Sequence, residues 1–449
     1  MTVTTAIRDR ALAETGAPAA IDRLRATFAG ALHLPGELSY DVLRRPLNPA
    51  LDPYPAVVAV AANASDVRAA LTAARRHDLP FAVQATGHGT HVALDGGILL
   101  NTAGLNGVRV DPQRRIARVG AGARWSQVLA ATARHGLAPL SGSAPSVGVV
   151  GFILGGGVGW LSRKYGFAAD SVIGAELVNA AGEPVRVTAD ENPDLHWAIR
   201  GGGPGFGVVT ALEFRLHPLS EVYGGVAYFA AERALPTLAR YREWTAAVPD
   251  ELSTAIVVTH APDSDEVPAA LRGRRALAIK AMYAGDARRG RRLLEPLLHI
   301  AGPSLLDGFG PMSYATAAMG GTPPRQLELM RELDDVTIDA ILGAVRDEHS
   351  PVSTVEIRHW GGAMSASRID AGPVGARDVP FSVIADARDD ALAEALRPGA
   401  TGGSFLNFLA DTTRTASAYS EADYRCLTGI KAIHDPDSFF RHGHTVPPA

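Results

Sequence analysis

One short segment places side chains that could move a proton or bind an anion at the spacing of a β-strand. In the segment 354–363, Glu356 and Arg358 are two residues apart. On a strand they project from the same face, with Trp360 beside them and His359 on the other face. The carboxylate could serve as a base and the guanidinium could bind a polar substrate group. A structural ion pair is the alternative interpretation of Glu356 and Arg358.

A second candidate is Tyr314, because a phenol can serve as a base in an active site. A core tyrosine with a satisfied hydroxyl is the alternative. Metal chemistry has no support, because the histidines are scattered and H-E-x-x-H is absent. The sequence therefore predicts no metal site.

Two glycine-rich runs are the strongest signal in the chain, at residues 147–160 and 200–210. Dense glycines allow the main chain to approach a flat or charged ligand and to turn its N–H groups toward it. Neither run fits the G-x-G-x-x-G fingerprint, and none of Lys164, Lys280 and Lys431 follows glycines in a P-loop pattern. One such run would be a flexible turn. Two runs, each followed by an apolar strand or helix, predict a cradle for a cofactor.

Alternating strands and helices in the first half of the chain must position these runs. Hydrophobic periodicity and turn residues predict strands at 56–62, 81–86, 98–102, 115–119 and 208–216, helices from Ser65 and over 126–135, and a hairpin at Ala181-Gly182. After residue 218 we expect helices at 233–247 and 287–299, strands at 277–283, 354–360, 381–387 and 404–409, and a final helix at 421–434. The second half predicts an antiparallel sheet covered on one side by helices.

The bulk composition indicates a globular protein of two domains. The chain has 449 residues, 47% hydrophobic and 20% charged. A net charge of −4 gives no reason to expect nucleic acid. The single cysteine, Cys426, excludes an internal disulfide and a thiolate cluster. Residues 1–31 do not look like a signal peptide and no run is long enough to span a bilayer, so we expect no membrane partner and a cytoplasmic location.

Several short motifs, in a fixed order, carry a family resemblance. They are Gly87-His88, Asp95-Gly96-Gly97, the segment 119–125, the first glycine run, Tyr165-Gly166, the segment 192–198, the second glycine run, Asn407-Phe408, Ile430-Lys431, Asp435-Pro436, Phe440-Arg441 and Pro447-Pro448. Together they resemble the FAD-linked oxidases of the vanillyl-alcohol oxidase superfamily, and most of all the berberine-bridge branch. The resemblance is dense over 55–217 and 402–448 and thin between them.

The resemblance implies an α+β fold of two domains. Residues 1–218, with a C-terminal return at 402–449, would form a PCMH-type FAD-binding domain, and residues 219–401 a substrate domain. By similarity, the cofactor contacts come from four parts of the chain: the pyrophosphate loop, the segments along the isoalloxazine and ribityl chain, the adenine side and the returning strand. These are Thr86, Gly87, His88, Gly89, Thr90 and His91; Gly142, Ser143, Val147, Gly148, Val150, Gly151, Gly155, Gly156, Gly157 and Gly159; Val208 and Val209; and Asn407.

Covalent attachment of FAD depends on His88, which matches the histidine that many members join to the flavin. Only the final Gly-His of the family's Arg-x-Gly-Gly-His motif is present here. His88 is therefore either the covalent anchor or a hydrogen-bonding residue of a loop that binds FAD non-covalently. His91 is a weaker alternative. Ala144 occupies the position of the second, cysteinyl tether of some relatives, so no cysteinyl tether is expected.

The activity implied by the resemblance is oxidation of a small organic substrate. Hydride would pass to flavin N5 and molecular oxygen would reoxidise the flavin, releasing hydrogen peroxide. Suitable substrates are alcohols, sugars or intermediates of secondary metabolism, and the protein would be a monomer or homodimer. The alternatives are a dehydrogenase with another electron acceptor, and a cyclase or isomerase without net redox change.

Overall fold

The computed structural model describes residues 15–366 and 370–449. Residues 1–14 lie outside the described residues. They belong to the segment 1–31, in which the sequence predicts no signal peptide. Within the two described ranges, no helix combines the length and the apolar character needed to cross a membrane.

A small sheet of mostly parallel strands begins the fold. Its elements are α1 (Ala17–Thr27), β1 (Ala31–His33), α2 (Leu38–Leu43), β2 (Val57–Val60), α3 (Ala64–Arg76), β3 (Phe81–Gln84) and β4 (Ile98–Asn101), with strand order β1-β2-β4-β3. Parallel strands need a crossover, and α3 connects β2 to β3. Helix α3 starts before the predicted Ser65, because the Asn63 side chain caps it by accepting from the Asp66 N–H.

A five-stranded antiparallel sheet lies next to the first one. The elements of this region are β5 (Val108–Asp111), β6 (Ile116–Gly120), α4 (Trp125–Ala133), β7 (Leu137–Ala138), α5 (Val149–Leu154), α6 (Ser162–Tyr165), β8 (Val172–Val178), β9 (Pro184–Thr188), α7 (Pro193–Ala198), β10 (Val208–Arg215) and β11 (His217–Pro218). The sheet order is β5-β6-β10-β8-β9, and β7 pairs with β11. Strands β8 and β9 form the predicted hairpin, in which Gly182 adopts a φ of +84°.

A large antiparallel sheet follows, with the order β15-β12-β14-β13-β18-β19-β17 and β16 beside β12. Its elements are β12 (Glu221–Ala230), α8 (Ala234–Trp244), β13 (Leu252–His260), β14 (Arg275–Tyr283), α9 (Ala287–Ala301), β15 (Ser304–Asp307), β16 (Gly310–Ser313), β17 (Gln326–Met330), α10 (Asp335–Arg346), β18 (Thr354–His359), β19 (Phe381–Ala385) and α11 (Asp390–Leu396). The predicted antiparallel sheet with a helical cover is confirmed. The domain boundaries at 218, 219 and 402 stay predictions.

The two faces of the large sheet have different neighbours. Val355 and Ile357 pack in one hydrophobic cluster with Leu238 of α8 and Ile341 of α10. On the opposite face, Ala255 and Met282 belong to a cluster that also contains Trp160 and Tyr314. Because side chains alternate along a strand, Glu356 and Arg358 project from this second face, toward the cofactor-binding half.

The C-terminal return packs back against the glycine-rich segments. The predicted strand at 404–409 is wrong, because Leu406–Phe408 forms a 3-10 turn. In this turn the Asn407 side chain bonds the glycine segment instead of the main chain pairing with a strand. The predicted last helix is confirmed as α12 (Glu421–His434). The buried Lys431 Nζ lies 2.5 Å from Asp435 Oδ2 and also donates to the carbonyl oxygens of Gly205 and Phe440, which joins α12 to the second glycine run.

Candidate functional site

The loop after β3 presents a run of unengaged main-chain donors. The N–H groups of Thr86, Gly87, His88 and Gly89 donate to no acceptor within the described part of the chain. Gly87 has a φ of +74°, which a residue with a side chain rarely adopts. An added Cβ at Gly89 would meet no atom within 4 Å, so this side of the loop is open. Consecutive free N–H groups are the arrangement that binds phosphate oxygens.

His88 joins this loop to the next predicted cofactor segment. Its Nδ1 lies 3.0 Å from Thr86 Oγ1 and its Nε2 lies 3.2 Å from Ser146 Oγ. Burial, together with the positive charge of Arg124, lowers the pKa of His88. The imidazole is therefore neutral near pH 7, which is the nucleophilic form that a covalent tether would require. Whether a tether forms stays a prediction.

His91 takes part in contacts with the C-terminal return. Its ring lies 5.0 Å from the ring of His444. Burial, followed by the charges of His444 and Arg325, lowers the pKa of His91 to about 4. His444 is fixed by Thr415 Oγ1 at Nδ1 and by the Leu409 carbonyl at Nε2. These contacts favour a structural role for both histidines.

The segment 142–151 lies directly beside the loop of His88. An added Cβ at Gly148 would be 3.4 Å from Thr86 Oγ1. In the first turn of α5, the N–H groups of Val150 and Gly151 have no acceptor among residues 15–366 and 370–449. An added Cβ at Gly151 would meet no atom within 4 Å. The structure thus brings two sets of free donors into one region.

At several of the other predicted glycines, contacts within the protein itself require a residue without a side chain. Asn407 Nδ2 donates to the Phe152 carbonyl, and its Oδ1 accepts from the Gly157 N–H. A Cβ at Gly155 would overlap the Asn407 amide, and a Cβ at Gly159 would overlap the Ser141 carbonyl. Gly155 and Gly159 are therefore required by packing, whether or not they also contact FAD.

Val208 and Val209 open strand β10, and their side chains are buried. Val208 packs in the cluster of the N-terminal sheet, and Val209 packs in the cluster around Trp125. With both side chains occupied, an adenine contact here would have to come from the main chain. That contact stays a prediction.

Glu356 is the centre of a buried ion cluster. Its Oε1 accepts from Arg358 Nε at 2.6 Å, and its Oε2 accepts from Lys280 Nζ at 3.2 Å. Oε2 also accepts from the N–H and the hydroxyl of Thr322. Burial raises the pKa of Glu356, but the charges of Arg358 and Lys280 outweigh this effect and lower the pKa to about 2. A carboxylate with this pKa and four donors is a poor base, so the geometry favours the ion-pair interpretation of Glu356.

Arg358 extends from the sheet to the cofactor-binding half. Its Nη2 lies 3.3 Å from Ser143 Oγ, and its guanidinium carbon lies 5.2 Å from the centre of the Trp160 ring. The first contact links the predicted substrate strand to a predicted flavin-lining residue. The structure therefore brings these two sequence-predicted groups together.

Tyr314 is held between the two halves of the molecule. Its hydroxyl donates to the Pro139 carbonyl at 3.0 Å and lies 2.9 Å from Ser141 Oγ. Burial raises the pKa of Tyr314 to about 12, more than these hydrogen bonds lower it. The phenol stays protonated near neutral pH, which favours the structural interpretation over a role as base.

Sequence reasoning missed Lys280 as a member of the site, and it missed the contact of Ser146 with His88. Both residue types were visible, but the contact of Lys280 with Glu356 depends on the pairing of β14 and β18 with β13. The contact of Ser146 with His88 depends on how two loops meet. No local pattern marks either contact.

These features fit FAD. The dinucleotide needs many N–H donors for two phosphates, and two neighbouring segments leave such donors free. Cys426, the one cysteine of the chain, is exposed on α12, so a cysteinyl tether is excluded.

Comparisons with known proteins agree with this fit. The model of a family described as an FAD binding domain matches residues 55–188. An FAD-linked oxidoreductase of Dictyostelium discoideum is 33% identical over 251 residues, which cover 56% of this chain and 52% of the relative. (R)-6-hydroxynicotine oxidase of Paenarthrobacter nicotinovorans is 39% identical over 167 residues, or 37% of this chain and 36% of the relative. The chain thus matches about half or less of the length of these two relatives.

The fold as a whole also has solved counterparts. The structure of BBE-like 1 from Physcomitrella patens, at 21% identity, superposes with a TM-score of 0.83 and covers 96% of this chain and 99% of that one. The chain therefore has the fold of this BBE-like protein. The family match over residues 55–188 supports FAD as the cofactor.

Proposed function

We propose that the protein is an oxidase that takes a hydride from a small organic substrate. FAD, when bound, would supply the hydride acceptor N5, and molecular oxygen would take up the two electrons with two protons to give hydrogen peroxide. The observation that supports this proposal most is the contact of Arg358 with Ser143 and Trp160. This contact places a charged side chain of the large sheet beside the segment proposed to line the flavin.

The proposed roles of the residues follow from their contacts. The free amides of 86–89 would hold the pyrophosphate, and those of Val150 and Gly151 would face the isoalloxazine and ribityl chain. Arg358 would bind the substrate, and Glu356 would orient Arg358 rather than accept a proton. Tyr314, bonded to Ser141, would position the segment 141–143.

The relatives support oxidation but do not give the substrate of this chain. The name of the Paenarthrobacter protein describes an oxidase of 6-hydroxynicotine. For this chain, the proposed substrates are alcohols, sugars or intermediates of secondary metabolism. A cytoplasmic location and a monomeric or homodimeric state are also proposed from the sequence alone.

The experiment that tests the oxidase proposal needs no known substrate. The flavin of the purified protein is reduced by light under anaerobic conditions and then mixed with oxygen or with a quinone. We expect rapid recovery of the flavin absorbance in oxygen, with one hydrogen peroxide formed per flavin. A reduced flavin that persists in oxygen but is oxidised by the quinone would instead identify a dehydrogenase.

A further inference from the structure

Lys280 and Arg358 form a pair of cations on the face of the large sheet that lies toward the cofactor-binding half. Lys280 on β14 and Arg358 on β18 are both paired with Ala255 of the intervening strand β13. Two strand spacings separate their Cα atoms by about 10 Å. Ala255 contributes only a methyl group on this face of the sheet between the two cations.

The charges in this pair are not balanced by the protein. Glu356 is the one acidic side chain within 4 Å of either cation among the described residues. The exposed fractions of the Lys280, Arg358 and Glu356 side chains are 11%, 9% and 0%. One net positive charge is therefore largely removed from water, which is unfavourable unless an anion or a set of acceptors compensates it.

The donors of the two cations are only partly used. Lys280 Nζ has one acceptor, Glu356 Oε2, and so retains two free N–H bonds. Arg358 uses Nε for Glu356 and Nη2 for Ser143, and its Nη1 has no acceptor in the part of the chain that the structure describes. Both carboxylate oxygens of Glu356, in contrast, are engaged. The carboxylate fixes both cations in place and leaves their remaining donors available.

The position of Arg358 places the excess charge near the reacting centre of the proposed oxidase. It lies between Glu356 on the sheet and Ser143 with Trp160 on the flavin-lining segment. Gly321 borders it from a third side, where an added Cβ would be 3.2 Å from Arg358 Nη2. A side chain at 321 would press on the guanidinium, so this glycine leaves Arg358 room.

We propose that Lys280 and Arg358 bind a carboxylate of the substrate, so that the enzyme oxidises an organic acid. This inference rests on the proposed function for the reaction, but the anion site is defined by the cluster alone. The planar guanidinium and the ammonium can each donate to one carboxylate oxygen, and charge-assisted hydrogen bonds of this kind are about twice as strong as neutral ones. The site thereby selects acids over their amides and alcohols.

The test is a calorimetric titration of the purified flavoprotein with acetate, propionate, benzoate and phenylacetate, each compared with its amide. We expect at least one of the acids to bind and to shift the visible flavin band, and its amide to bind at least tenfold more weakly. In R358Q and K280Q the affinity for the acid should fall by about tenfold or more, because a charged hydrogen bond is lost. R358K, which keeps the charge, should retain part of the affinity. R242Q serves as the control, since Arg242 pairs with Asp335 at the helical cover, and its affinity should match the wild type.

Two results would overturn the proposal. The first is that no acid binds, or that acids and amides bind alike. The second is that R358Q lowers the flavin midpoint potential while acid binding is unchanged, which would assign the charge to the cofactor instead of the substrate. Calorimetry detects acid binding even if the flavin fails to react with oxygen, so failure of the oxidase proposal and failure of the acid site are distinguishable.

Discussion

At the scale of single residues, the contacts of the candidate site set its protonation state. Near neutral pH Glu356 is ionised because its pKa is lowered to about 2, and Tyr314 is protonated because its pKa is raised to about 12. His88 is neutral, since burial and Arg124 lower its pKa. The site therefore combines a fixed ion cluster with a neutral imidazole at His88, and neither Glu356 nor Tyr314 is in a state suited to act as a base.

Replacing Glu356 with Gln should destabilise the fold. The change leaves Lys280 and Arg358 buried without an anion, which costs about 3 kcal/mol or more. The folded-state pKa of about 2 lies below the ordinary value of 4.5, so the carboxylate stabilises the protein above pH 4.5 and this contribution is lost as the pH falls toward 2. Urea unfolding should show a large loss of stability at pH 7 that shrinks below pH 4.5. Equal stability of E356Q and wild type at pH 7 would contradict this account.

A matched control for this substitution is E213Q. Glu213 pairs with Arg118 at 2.8 Å on a partly exposed surface of the second sheet. Such pairs contribute about 1 kcal/mol or less because solvent screens them. The comparison separates loss of a buried anion from loss of any ion pair.

Replacing His88 with Ala should remove a covalent flavin tether. After acid precipitation we expect a yellow pellet from the wild type and a yellow supernatant from H88A, since the neutral imidazole is the proposed nucleophile. H91A is the control and should keep its flavin in the pellet. A yellow pellet from H88A would show that the anchor is another residue. A colourless pellet with a yellow supernatant from the wild type would show that FAD is bound non-covalently.

At the scale of elements, the glycine-rich segment depends on a residue that lies far away in the sequence. Asn407 bonds the Phe152 carbonyl and the Gly157 N–H, and so connects the end of α5 to the C-terminal return. The sequence predicted Asn407 as part of a strand. The segment instead forms a 3-10 turn, because the Asn407 side chain, rather than the main chain, makes the long-range bonds. Strand propensity does not indicate which distant groups a side chain will bond.

Replacing Asn407 with Ala should therefore loosen the segment 152–157. Two bonds to partly buried main-chain groups are lost, with an expected cost of about 1–3 kcal/mol in the free energy of unfolding. The measurement is urea unfolding followed by circular dichroism, with the flavin content determined after gel filtration. N48A, which removes only a local bond to the Ala50 N–H, should have a much smaller effect. Identical unfolding curves for N407A and wild type would rule out this role of Asn407.

At the scale of the whole molecule, the sequence predicted the architecture better than the site. The antiparallel sheet with its helical cover and the last helix, 421–434, followed from periodicity and turn residues. The cluster of Lys280 and Glu356 did not, because it depends on the order of three strands in the sheet. Arg163 was missed for a different reason. It projects from α6 and donates to the carbonyls of Leu252 and Trp360, and these contacts form only when the two halves pack together.

The central claim is that free main-chain donors between residues 84 and 210 hold FAD. The direct measurement is the flavin content of the folded, purified protein, from its visible absorbance and from the protein concentration. We expect an equimolar amount of flavin, or equimolar uptake when FAD is added to protein purified without it. A folded protein that is colourless and does not bind added FAD would contradict the claim.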